Sequence, residues 1–215
     1  AGTDLTSGTY NNFMGFQAGF NATTGDSNIA IGRTAIGLGV LTGGNNVVLG
    51  QQAGYDLTSG SHNILSGFQA GANLTTGSGN IFQGQEAGEF VKTANYGIAI
   101  GYDTLSLGVM TGTDNTAIGR SAGRDLTSGT YNDFIGALAG YNATSGDSNV
   151  ALGRAAIGLG VLTGDSNVAV GHSAGYDLTS GAFNVFMGYV AGANVTTGAD
   201  NTILGPNAGI ALVDG

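Results

Sequence analysis

The apolar and polar positions of this chain recur as one short phrase, N-x-x-x-G, whose three central residues are mostly Ile, Val, Leu, Ala or Phe. The closing glycine falls at Gly15, Gly32, Gly50, Gly67, Gly84, Gly101, Gly119, Gly136, Gly153, Gly171, Gly188 and Gly205. From Gly15 to Gly205 that is 190 residues in eleven steps, about 17.3 per step, eight of 17 and three of 18. Around it lies a longer frame, T-[ST]-G-x-x-N-x-x-x-G-x-x-A-G. A fixed period of this length marks a repeat architecture. A slower three-unit rhythm (Asp4, Asn21, Gly39, then Asp56, Asn73) breaks once, at Phe90, and the segment from Asp4 to about Gly84 returns 121 residues later, near Asp125 to Gly205.

Seventeen residues are too few for the helix pair of a helical repeat, which takes about 33, and glycine is costly inside a helix. The phrase N-x-x-x-G predicts a short strand, G-x-x-A-G a second extended stretch, and T-[ST]-G a turn. The expected fold is all-β: a β-solenoid or left-handed β-roll of about 12 coils of 17–18 residues. It forms a single array over residues 1–215, with an irregular unit near 85–101, where Gly97 replaces the Asn.

Adjacent residues on a strand point to opposite faces. The third residue after the Asn (Met14, Ile31, Leu49, Ser66, Gln83, Ile100, Ile118, Ile135, Leu152, Val170, Met187, Leu204) is apolar in ten of twelve units, as a coil interior requires. The second is apolar in all twelve: Phe13, Ala30, Val48, Leu65, Phe82, Ala99, Ala117, Phe134, Ala151, Ala169, Phe186 and Ile203. With one face filling the coil, the other becomes an apolar stripe of a kind not left in water. This second column is therefore expected to be a chain–chain interface, covered by identical chains. The Asn column (Asn11, Asn28, Asn46, Asn63, Asn80, Asn115, Asn132, Asn149, Asn167, Asn184, Asn201) is expected to form a structural amide ladder. The Ala column from Ala18 to Ala208, interrupted by Thr104, reads as a steric requirement for close packing.

Composition narrows the partners. Glycine supplies 42 of 215 residues without the every-third spacing of collagen. There is no Cys, so neither a disulfide framework nor a thiolate metal site is available. Fourteen acids against five bases give a net charge of −9, which disfavours a phosphate-backbone partner; nucleic acid is not expected. No apolar run approaches 18 residues, so no insertion into a membrane is expected. The chain opens without a basic segment followed by an apolar one, as expected of a mature piece or a fragment.

The strings NIAIG, NTAIG, NVALG and NVAVG resemble the N-S-V-A-I-G coils in the left-handed β-roll heads of trimeric autotransporter adhesins. The longer cadence TTGxxNxxxGxxAG is similar to repeat shafts of bacteriophage tail fibres. The resemblance covers residues 4–209. It implies three chains packed about one axis and an extracellular place, on a virion tail fibre or a bacterial surface, with a cell-surface glycan or protein as receptor.

Candidate chemistry is sparse. His62 and His172 fall in different columns and cannot converge on a metal or a nucleophile. The GLG strings at Gly37–Gly39 and Gly158–Gly160 precede no helical pattern. No catalytic residue, cofactor or metal is expected. Asp147 and Asp165 occupy equivalent places in consecutive coils, the one carboxylate pair that would suit a polysaccharide-cleaving spike. Thr6, Thr24, Thr42, Thr58, Thr76, Thr111, Thr127, Thr163, Thr179 and Thr197 form a row that would suit an ice-binding solenoid. The expected role is a non-enzymatic structural and adhesive fibre segment, whose multivalent surface takes the place of a deep pocket. The asparagines of four sequons (Asn21, Asn73, Asn142, Asn194) follow from the repeat itself.

Overall fold

A computed structural model describes residues 1–214. Its elements are twelve three-residue strands, and no helix occurs among the described residues. They are β1 (Asn12–Met14), β2 (Ile29–Ile31), β3 (Val47–Leu49), β4 (Ile64–Ser66), β5 (Ile81–Gln83), β6 (Ile98–Ile100), β7 (Thr116–Ile118), β8 (Asp133–Ile135), β9 (Val150–Leu152), β10 (Val168–Val170), β11 (Val185–Met187) and β12 (Thr202–Leu204). The chain divides into two compact units, Ala1–Thr111 with β1–β6 and Gly112–Gly215 with β7–β12. The division falls beyond the irregular 85–101 segment.

Each unit is a parallel β-solenoid in which every coil contributes one strand. Each strand pairs with the strand of the next coil without stagger: Phe13 lies opposite Ala30, Leu65 opposite Phe82, and Phe134 opposite Ala151. Hydrogen bonding between coils continues outside the strands, as from Gly19 N–H to Ala35 O and from Gly123 N–H to Ala139 O, both 2.9 Å. The G-x-x-A-G stretch is a corner rather than the second extended segment that the sequence suggests. Gln17 (φ 55°) and Gly19 (φ 57°) both adopt left-handed backbone there, and the chain folds back around Ala18. At Gly15 the reason for glycine is close approach: with φ at 134°, a β-carbon would stand 2.5 Å from the carbonyl oxygen of Gly32 in the next coil.

The two strand columns are exchanged relative to the sequence expectation. Ala30, Val48, Leu65, Phe82, Ala99, Ala117, Phe134, Ala151, Ala169 and Phe186 have no exposed surface, Ile203 has 8 %, and Phe13 in the first coil is half-buried. These twelve residues fill the coils and are not an interface. The third residue of each phrase faces outward instead. Parity explains the exchange: the Asn turns into the coil to bond the turn beneath it, so the residue two places later shares its face. The first and third residues then share the other.

Two further columns complete the interior. One is the Ala column, with Thr104 buried in its place in coil six. The other lies before each T-[ST]-G turn and holds Leu41, Leu57, Leu74, Val91 and Met110 in the first unit, and Leu126, Leu162, Leu178 and Val195 in the second. Volumes balance within the 18-residue coils. In the three 18-residue coils the strand offers only Ala30, Ala99 or Ala151. There Ile36, Leu105 and Ile157 occupy the corner position that is glycine in the 17-residue coils. These large residues hold φ of 48°, 48° and 46° and are wholly or almost wholly buried. Left-handed backbone at a bulky residue costs about 1–3 kcal/mol. Burial of the side chain, about 1.5–3 kcal/mol, offsets it.

Candidate binding surfaces

The Asn ladder is a structural device throughout. Asn167 donates from its backbone N–H and from Nδ2 to Asn149 Oδ1 (2.9 and 3.0 Å), and Nδ2 also donates to Gly181 O (2.9 Å). Asn28 through Asn80 and Asn132 through Asn184 repeat this pattern, and all are buried. At the break, Gly97 still donates its N–H to Asn80 Oδ1 at 2.8 Å. The buried amides of this column are thus engaged within the ladder.

A second ladder, missed from the sequence, runs along the outer turn two residues before the Asn. Thr9 donates its N–H and hydroxyl to Asp26 Oδ1, Ser61 donates its N–H to Ser78 Oγ, and Ser78 donates its N–H to Asn95 Oδ1. Asp147 and Asp165 belong to it. Thr130 N–H donates to Asp147 Oδ1 at 2.7 Å, and Asp147 N–H donates to Asp165 Oδ1 at 2.8 Å. Each carboxylate caps the coil before it, a sufficient structural reason for both acids. The two bonds from Thr9, first the backbone N–H and then the hydroxyl, hold the Asp26 carboxyl below its usual range. Burial raises the Glu89 carboxyl, and neighbouring Glu86 and Asp103 add to that effect. No group of three or more His, Asp or Glu side chains suited to a metal ion occurs among the described residues.

The threonine row resolves into two columns. Thr6, Thr58, Thr127 and Thr179 are tied down, each donating its hydroxyl to a carbonyl of the next coil at 2.9–3.1 Å. The next residue along is Ser or Thr in all twelve coils: Ser7, Thr24, Thr42, Ser59, Thr76 and Thr93, then Thr111, Ser128, Ser145, Thr163, Ser180 and Thr197. All twelve are exposed. Thr197 alone shows a side-chain bond, to Asp214.

The outward strand face is a continuous apolar feature of each unit. In the first it carries Ile29, Ile31, Val47, Leu49, Ile64, Ile81, Ile98 and Ile100, with Met14 at its edge 62 % exposed. In the second it carries Ile118, Ile135, Val150, Leu152, Val168, Val170, Val185, Met187 and Leu204. Asp133 is the only ionisable residue on either face. Sequence reasoning recognised that the strands are apolar on both sides but assigned the sides the wrong way round. The signal that separates them is the Asn, which shares parity with the inner column.

Four bulky aromatics stand just before the Asn column, Tyr10, Tyr96, Tyr131 and Phe183, each with φ of 56–59° and 63–85 % exposed. His62 shares their column (φ 61°), whereas His172 lies beyond the strand glycine, so the two histidines are apart as expected. No helix among the described residues is long and apolar enough to cross a membrane. No protein-family model, no curated protein and no solved structure matches this chain.

Proposed function

We propose that this chain is a structural and adhesive fibre segment, of the kind found in bacteriophage tail fibres or bacterial surface adhesins, that acts as a homotrimer outside the cell. The observation that carries the reading is the outward strand face. A flat array of Ile, Val, Leu and Met that repeats at every coil is costly to leave in water. A second copy of the chain repeats at the same spacing, so it alone can match such a face row for row. Three copies about one axis is the arrangement implied by the resemblance to adhesin heads and tail-fibre shafts. The reading is non-enzymatic: turn capping accounts for the one carboxylate pair that invited a catalytic role, and the histidines lie apart. Attachment then comes from many weak contacts on a stiff scaffold, with a cell-surface glycan or protein as receptor. Sedimentation equilibrium tests the assembly. Three chains of 21.2 kDa per particle are expected, and a stable monomer at micromolar concentration overturns the reading.

An ice-binding role is the second reading, favoured by the Ser/Thr row. Its members are exposed in every coil, and all but Thr197 lack a side-chain bond to the protein. Thermal hysteresis in the purified chain is its test, and freezing at the equilibrium melting point removes it.

A further inference from the structure

We propose that a stripe of planar side chains on the second unit, Arg120, Arg154, His172 and Tyr189, is a binding site for an acidic, carboxylate-bearing polysaccharide. This inference deepens the attachment role and rests on it. These residues occupy one column, the position just after the strand glycine, in coils seven, nine, ten and eleven; Ala137 fills the place in coil eight.

Charge is segregated around this column. The chain carries a net −9, yet two of the three arginines of this unit stand here, both exposed. The third, Arg124, is neutralised by Asp125 and stacks on Tyr141. Within coils seven to eleven, neither this column nor the flanking ones (Ile118, Ile135, Leu152, Val170 and Met187 on one side; Ser121, Leu138, Ala155, Ser173 and Val190 on the other) contains an acid; the second flanking column carries Glu86 and Asp103 only in the coils before. A cationic strip on an acidic protein draws anions and repels nothing of its own.

The groups are also built into a continuous surface. Arg154 Nη1 stands 2.9 Å from His172 Nε2, and the His172 ring stacks on Tyr189 with centroids 5.3 Å apart and planes inclined by 26°. Three successive coils thus present guanidinium, imidazole and phenol as one shelf, and Tyr189 is 57 % exposed. With Arg154 donating into Nε2, the ring proton sits on Nδ1, which is buried and has no partner. A buried donor left unpaired works against stability. The arrangement is thus explained by what it presents outward.

The dimensions select a linear polymer. Coils stack at about 4.8 Å, which places the Arg120 and Arg154 positions about 10 Å apart, with the small Ala137 between them. That is the scale on which an extended polyuronate returns its carboxylates to one side, once per disaccharide. Each guanidinium can take a carboxylate through two parallel N–H donors. The outward edge of the stacked His172 and Tyr189 rings, with the Tyr189 hydroxyl, then flanks the following sugar.

The test is isothermal titration of the whole chain with octagalacturonate, and with neutral maltooctaose as control. Octagalacturonate is expected to bind at least about tenfold more tightly, and the Arg120→Gln/Arg154→Gln double variant to lose at least that factor. Tyr189→Ala is expected to weaken binding while leaving the salt dependence unchanged. Equal affinity for the two octamers, or unchanged affinity in the double variant with an unaltered melting curve, overturns the site. Particle mass separates the two ideas. A trimer that ignores octagalacturonate sinks this inference and spares the fibre reading; a monomer sinks the fibre reading.

Discussion

A β-carbon placed on Gly140 would stand 2.6 Å from the ring of Phe134, the residue that fills the same coil from its strand. One coil later the relationship is inverted: the strand offers Ala151, and Ile157 supplies the bulk from the corner, at φ 46°. In these two coils one large side chain fills this part of the interior, delivered from either position; where both positions are small, as at Ala169 and Gly175, the ring of Phe186 in the next coil reaches in.

That exclusion predicts strong coupling. Phe134→Ala alone leaves a cavity and is expected to cost about 3–5 kcal/mol. Gly140→Ile alone forces a clash on left-handed backbone and prevents the coil from closing. Together the two copy the neighbouring coil, and the pair should recover about 1–3 kcal/mol relative to the summed single effects. Urea denaturation of all three variants measures the coupling, and simple additivity would refute the volume exchange.

The amide ladder predicts a steep difference between two asparagines of similar sequence context. Asn149→Ala removes four hydrogen bonds, two donated by Nδ2 and two accepted by Oδ1. It is expected to cost about 3 kcal/mol and lower Tm by roughly 6–12 °C. Asn12, which faces outward on β1, should tolerate Ala within about 0.5 kcal/mol. Calorimetry distinguishes them.

Asp26 predicts an acid-sensitive turn. Its carboxyl lies below the ordinary aspartate range because Thr9 donates two hydrogen bonds to the charged form, from its backbone N–H and then its hydroxyl. A depressed folded-state value stabilises the fold above the unfolded value, and that contribution is lost as pH falls through the folded one. The Thr9 amide resonance should therefore titrate with a midpoint below the ordinary aspartate range. In Asp26→Asn it should show no such midpoint.

The assembly predicts sensitivity on the outward column and none from charge elsewhere on the surface. Val168→Lys puts an ammonium between Val150 and Val185 on the exposed strand face. It should leave the fold of the single chain intact yet reduce the particle to 21.2 kDa. Thr163→Lys, on the exposed turn, should leave particle mass unchanged.

The sequence by itself determined the solenoid, the number of coils, the one strand of each, and the Asn ladder. All of these follow from a period too short for helix pairs and from residues that recur at fixed places, such as Asn149, Asn167 and Asn184. It also determined that the strands are apolar on both sides. Only the tertiary structure decided which side is inside. A three-residue strand carries apolar residues at every position, so its own pattern is ambiguous, and the choice is made by Asn side chains reaching turn carbonyls such as Gly181 O. The capping of Thr130 by Asp147, the exchange of bulk between Phe134 and Ile157, and the contact of Arg154 with His172 were likewise hidden. Each joins residues brought together by stacking, and stacking is set by close backbone approach at the glycines.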